Sequence, residues 1–293
     1  MNLAEVLAHV RRLELRHRRL VRNLLVGEYA SVFKGRGVEF ADVRPYQYGD
    51  DVRTIDWRVT ARTGHAYVRR YVEERELTLY LVVDRSASDA FGSTRRTKAE
   101  LATEVCAILA LAAAQAHDRV GAVLFTDRVE HHVPPRKGAR HALRVIRELV
   151  AFEPRRAGTD LAAALELVNR VTRRRSLVFI LSDWLAAGYE TELAITARRH
   201  DTIAVRLGDP REHALPSVGL VALQDPETGT WRDVDTSDPR VRAELARAAR
   251  ERDRALARSL RRLGADVIAL DTNRSSIGPL LAFFQARERM RRH

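Results

Sequence analysis

Cysteine occurs once in the 293 residues, as Cys106. A single thiol excludes a disulfide within the chain and any metal site built on thiolates. It fits a reducing, cytoplasmic setting. Lysine is also scarce. Lys34, Lys98 and Lys137 are the only three, so 48 of the 51 basic residues are arginine. Long apolar runs are missing: the longest, LALAAAQA around residues 109–116, falls well short of the roughly 20 residues a bilayer span requires. Arginines interrupt every apolar run near the N-terminus, which argues against a secretory signal. Several catalytic signatures are absent as well. There is no G-x-x-x-x-G-K-[ST] for a phosphate-binding loop, no G-x-G-x-x-G after a strand, no G-x-S-x-G elbow and no H-E-x-x-H. The expectation is a protein that is not an enzyme and takes no small-molecule substrate.

What is present is enough apolar material for a sizeable core. Hydrophobic residues make up 45% of the chain and charged residues 31%, a mix that excludes wholesale disorder. The formal net charge is +12. Acids alternate with arginines in most segments, and the arginine bias runs through the whole chain, so the excess charge argues only weakly for nucleic acid.

The pattern along the chain changes near residue 76. Residues 2–25 carry Leu3, Val6, Leu7, Val10, Leu13, Leu20, Val21 and Leu24 at helical spacing, with arginines on the other face. Residues 27–75 hold five glycines and short β-type runs, VEFADVR, RTIDW and AYVRRYV. Residues 1–75 thus read as an N-terminal helix plus a small β-rich block. Residues 76–293 read as α/β. The strand LTLYLVVD ends at Asp84, a helix follows over about 97–116, and strands and helices then alternate to the C-terminus. A hairpin insertion lies near 216–236, around Glu227, Thr228 and Gly229. SLVFILSD (176–183) is apolar enough for a strand buried on both faces. The fold expected is a doubly wound, mostly parallel sheet of the Rossmann type.

Such sheets bind ligands outside the C-terminal ends of their strands. After the first strand of the α/β region comes Asp84-Arg85-Ser86-Ala87-Ser88. After the strand 176–183 comes Asp183-Trp184. Between them, Gly158-Thr159-Asp160 opens a helix. Asp84, Ser86, Ser88, Thr159 and Asp183 supply oxygen donors from three loops at one sheet edge. A hard divalent cation, Mg²⁺ or Mn²⁺, suits such a set. Two carboxylates and three neutral hydroxyls leave it charge to spare for a carboxylate from a partner. Taken singly, the same residues are also common helix caps and turn formers.

With D-x-S-x-S after a buried strand, Thr159 in AGTD and Asp183 after VFILS, the sequence resembles the metal-ion-dependent adhesion site of von Willebrand factor A domains. The stretch FKGRGVEFADVRPYQYGDDVRTIDWRVTARTG (33–64), ahead of VVDRSAS, resembles domain-of-unknown-function family 58. The resemblance implies a von Willebrand factor A-like fold and a metal-dependent protein-interaction module. Its expected partner is a MoxR-type AAA+ ATPase, or a client of one. It also implies that the hydroxyls bind the ion directly and the two aspartates partly through water. Two positions depart from the family pattern. Asp89 stands where an apolar residue often follows the second serine, and Trp184 stands where glycine often follows the last aspartate. Asp89 and Trp184, with Arg44 and Tyr46 of RPYQYGDDVRTIDW, are candidate partner contacts. That segment reads equally as a packed ion-pair network around a Gly49 turn, and Trp184 equally as packing at a strand end.

Two rival functions remain. Arginine-rich helices could bind nucleic acid. Val83-Asp84 after an apolar strand could belong to an aspartyl phosphotransferase, although Ser86 stands where that motif has a second Asp.

Overall fold

The structure is a computed structural model. It describes residues 4, 5, 8, 36–74, 76–93, 96–156, 158–224 and 230–292. Most of the helix expected over 2–25, the start of the β-rich block and the hairpin turn at 227–229 lie outside the described residues. Two compact units divide between Leu77 and Thr78.

In the first unit, β1 (Arg36–Pro45) pairs antiparallel with β2 (Tyr67–Glu74). A short 3-10 turn (Val52–Thr54) and helix α1 (Trp57–Thr63) connect them. RTIDW, expected as a β-type run, instead spans the end of that turn and the start of α1. Local capping explains the difference. The Asp51 carboxylate accepts the Arg53 N–H at 2.9 Å, and Asp56 accepts those of Arg58 and Val59 at 3.0 and 3.2 Å. These bonds satisfy donors that a starting helix leaves open. Gly64, at φ 74°, closes α1 in the left-handed region.

The second unit is built on one six-stranded sheet. In chain order its elements are β3 (Thr78–Asp84), α2 (Lys98–Gln115), β4 (Arg119–Phe125), β5 (Val129–Lys137), α3 (Ala139–Ala151), α4 (Leu161–Val171), β6 (Leu177–Ser182), α5 (Glu190–Arg199) and β7 (Asp201–Gly208). Then follow the small hairpin β8 (Leu220–Gln224) and β9 (Trp231–Asp235), the long helix α6 (Pro239–Arg262), β10 (Asp266–Asp271) and α7 (Ile277–Arg292). The sheet order is β10-β7-β6-β3-β4-β5. Every pair is parallel except β4–β5. This is the expected mixed α/β architecture with a mostly parallel central sheet.

Burial follows from the topology. β3 and β6 lie side by side in the middle of the sheet, and all six residues of β6 are buried. Helix crossovers on a parallel sheet cover both faces, so such strands need apolar residues at every position. One face packs on α2, whose start is fixed by a capping box between Thr97 and Glu100. The other carries Leu161, Leu165 and Val168 of α4, Leu193 of α5 and Leu260 of α6. The strand expected over 129–133 runs on to Lys137 through Pro134 and Pro135. Its register with β4 breaks there, between Val120 and Ala122. Among the described residues, no helix is long and apolar enough to cross a membrane.

Candidate functional site

The β3–α2 loop leaves the centre of the sheet at Asp84. The chain turns at once, because the Asp84 Oδ1 atom accepts the backbone N–H of Ser86 at 2.9 Å. A 3-10 turn over Ala87–Ala90 follows, with Asp89 N–H donating to the Ser86 carbonyl at 3.1 Å. This tight path brings the Ser86 and Ser88 hydroxyl oxygens to 3.1 Å from one another. Asp84, Ser86 and Ser88 are all buried. From the neighbouring strand, the Ser182 hydroxyl donates to Asp84 Oδ2 at 2.7 Å and accepts the Trp184 N–H at 3.0 Å. Asp183 is buried beside them. Its Oδ1 accepts the Leu185 N–H at 3.2 Å, and its Oδ2 accepts from the Lys98 ammonium at 3.1 Å.

Thr159 belongs to the α3–α4 loop. Asp160, next in sequence, is the N-cap of α4, accepting the Ala163 N–H at 3.0 Å. The Asp160 N–H donates to Thr126 O at 2.6 Å. That bond ties the loop to the C-terminal end of β4, the strand next to β3. The structure therefore joins Asp84 to Ser86 and Ser182, and brings Ser86 to Ser88. Asp183 follows Ser182 directly, and Thr159 sits on the loop anchored at the adjoining strand end.

The electrostatics are those of acids crowded into a poorly hydrated place. Burial pushes the Asp84 carboxyl up to about 6, against the hydrogen bonds from Ser182 and Ser86, and nearby Asp183 pushes in the same direction. Burial also lifts Asp89 well above the ordinary carboxylate range. Arg85 opposes this, while Asp84 and Asp183 add to it. Asp89 Oδ2 has no hydrogen bond, and Arg85 Nη1 lies 3.9 Å away.

Around an octahedral Mg²⁺, with oxygens at about 2.1 Å, neighbouring ligands stand about 3 Å apart. The two serine hydroxyls have that separation, while of the surrounding carboxylates Asp183 faces the Lys98 ammonium at 3.1 Å and Asp89 lies 3.9 Å from Arg85. Hydroxyl and carboxylate oxygens of this kind are the donors a hard cation takes. Among the described residues, no group of three or more His, Cys, Asp or Glu side chains is arranged to hold a metal by itself. An ion here would depend on the hydroxyls.

For Trp184 and Arg44, candidate partner contacts, the structure shows the alternative of packing and ion pairing. Trp184 is 4% exposed and packs edge-on against Tyr189, ring centroids 5.4 Å apart. Its indole N–H donates to Val205 O at 3.3 Å. Its φ of 62° lies in the left-handed region that favours glycine, and burial of the ring compensates. Asp89 is likewise buried, at 4% exposure. Neither side chain is presented to a partner, because the sheet edge encloses both. In the first unit, Arg44 is committed to Asp50 through two hydrogen bonds of 2.8 and 2.7 Å. Tyr46 N–H bonds Ala66 O at 2.8 Å. The fully exposed aromatic of this segment is Tyr48, with Trp57 also largely exposed.

Three features escaped the sequence reading. Lys98 bridges Asp183 and Glu212. Asp209, fully buried, binds the loop around Ser93. A cleft of about 210 Å³, lined by Asp183, Leu185, Arg206, Glu212, Arg252 and Leu256 among others, opens beside the site. An apolar-rich helix that begins with a lysine was the one available signal. The partners of Lys98 lie far away in the chain.

Comparison with known proteins adds a family and some distant likenesses. The family described as "Protein of unknown function DUF58" matches residues 42–255. "Uncharacterized protein Rv1480" of Mycobacterium tuberculosis is 36% identical over 285 residues, covering 96% of this chain and 90% of its own. "Uncharacterized protein YeaD" of Bacillus subtilis is 39% identical over 51 residues, 17% of this chain and 13% of its own. Among solved structures, the conserved hypothetical protein BatB from Bacteroides thetaiotaomicron aligns with a TM-score of 0.46 at 13% identity, over 74% of this chain and all of its own. The SpRpn10 VWA domain aligns with a TM-score of 0.38 at 11% identity, over 71% of this chain and 94% of its own.

Proposed function

The chain belongs to the DUF58 family, and from that premise we propose that it is a metal-dependent protein-interaction module rather than an enzyme. A divalent cation, Mg²⁺ or Mn²⁺, is held by Asp84, Ser86, Ser88, Thr159 and Asp183, and a partner protein docks on it through a carboxylate. When bound, the ion supplies a localised positive charge that accepts an acidic side chain. The chain's own residues do the rest. The Asp84–Ser86 turn sets the two hydroxyls side by side. Ser182 holds Asp84 in place. Leu185 N–H fixes one oxygen of Asp183.

The observation that carries this reading is the 3.1 Å pair of serine hydroxyls set directly after Asp84 at the C-terminal edge of the sheet. A MoxR-type AAA+ ATPase, or its client, is the partner we assign, on the family resemblance, with the cytoplasm as the site of action. Isothermal titration of the purified chain with Mg²⁺ and Mn²⁺ tests the metal. Binding is expected for the wild type and lost in Asp84→Ala, and absence of binding to the wild type removes the reading. Affinity capture of a MoxR-type ATPase from the native host tests the partner. Capture is expected with Mg²⁺ and lost with chelator or with Asp183→Ala.

A further inference from the structure

Lys98 joins three elements at the sheet edge where the candidate cation site lies. It stands in the first turn of α2. Its ammonium reaches Asp183 Oδ2, after β6, at 3.1 Å, and Glu212 Oε1, after β7, at 2.5 Å. The Lys98 and Asp183 side chains are 3% and 6% exposed, so water does little to screen the pair. Burial disfavours the ammonium, but Asp183 and Glu212 outweigh that and hold it charged. Glu212 is itself engaged, its other oxygen accepting from Arg206 and from the Asp209 N–H at 3.3 Å each. Asp183 thus carries a resident positive charge on one oxygen and a backbone N–H on the other.

Nearly every basic residue of this chain is arginine, yet one of its three lysines occupies this position. A compact ammonium with rotatable donors fits between two carboxylates where a planar guanidinium would need a wider fork.

We propose that Lys98 sets the affinity of the candidate site for its cation: its ammonium competes for Asp183 and repels a divalent ion, so that the ion is held weakly. The physical cause is repulsion between like charges in a region of low dielectric. This inference rests on the cation-site reading above.

Isothermal titration of the full chain with Mg²⁺ alone tests it, using wild type, Lys98→Met, Glu212→Gln and the double variant. The double variant removes ammonium and carboxylate together, so it leaves no unpaired Glu212 charge and guards against a single variant that does not fold. Circular dichroism checks each fold. Lys98→Met and the double variant are expected to bind Mg²⁺ at least tenfold more tightly than wild type. Glu212→Gln, which leaves the ammonium less neutralised, is expected to bind a fewfold more weakly. Unchanged or weaker binding in the folded double variant overturns the role of Lys98 while leaving the metal site standing. No binding by wild type overturns the metal site and the role of Lys98 together.

Discussion

Asp209, on the turn after β7, holds Ser93 twice, accepting both its backbone N–H at 2.9 Å and its hydroxyl. The same carboxylate accepts from Thr272 Oγ1 at 2.6 Å and from the Arg211 N–H at 2.9 Å. Burial pushes this group up, but the hydrogen bonds prevail and hold it below the ordinary carboxylate range. The loop that begins with Ser86 and Ser88 is therefore tied at its far end to β7 and β10. Asp209→Ala leaves these donors unmet, and a loss of about 3 kcal/mol is expected by urea denaturation. A loss below about 0.5 kcal/mol would show the tie to be incidental.

Gly92 allows that same loop to fold closely on itself. A Cβ there would stand 2.5 Å from Arg96 O and 2.6 Å from Thr97 Cα, both backbone atoms that cannot swing aside. Gly92→Ala is expected to cost about 2 kcal/mol and to weaken Mg²⁺ binding, because the strain falls between the serines and the start of α2. Thermal melting and calorimetry check the two effects. A variant as stable as wild type would contradict the close approach.

Much of this arrangement was legible because it is local. Asp84, Ser86 and Ser88 lie within five residues of a buried strand end, and strand polarity then dictates which sheet edge they occupy. Asp183 follows from the same rule applied to β6. RTIDW was misread because β-branched Thr54 and Ile55 suggest a strand, while Asp51 and Asp56 act as caps only once the chain has turned. The contacts that brace the site are of a different kind. Lys98 with Glu212, Asp209 with Ser93, and Arg96 with the Thr272 carbonyl all join distant segments. Nothing in residue spacing reveals such pairs. Trp184 was open to two readings, contact or packing, and only the backbone, which turns the ring inward, decides for packing.

Trp184→Ala tests that inward packing. Removing a buried ring that touches Tyr189 and bonds Val205 O is expected to cost about 3–5 kcal/mol. Trp184→Gly should cost less than Trp184→Ala, since glycine relieves the positive φ. If the ring served mainly as a partner contact, both variants would keep wild-type melting temperatures.

His200 makes stability depend on pH. It is buried, and burial, together with Arg199 and Arg175, lowers it to about 4. The folded state therefore keeps the ring neutral, with Nδ1 accepting the Ser176 N–H at 3.3 Å. An unfolded chain takes up its proton near the ordinary value of about 6.5. The stabilisation is complete above that pH and is lost as pH falls towards 4, by roughly 3 kcal/mol in all. Denaturation at a series of pH values should show this slope in the wild type and a flatter one in His200→Gln. Identical slopes would assign the acid sensitivity elsewhere.

Of the two outer strands of the main sheet, β5 carries consecutive prolines at 134 and 135. Neither proline has an N–H to offer at this margin of the sheet, and the register with β4 shifts at the same place. Ladder growth from copy to copy is thereby blunted along that margin, and crowded molecules gain protection against fibrous self-association.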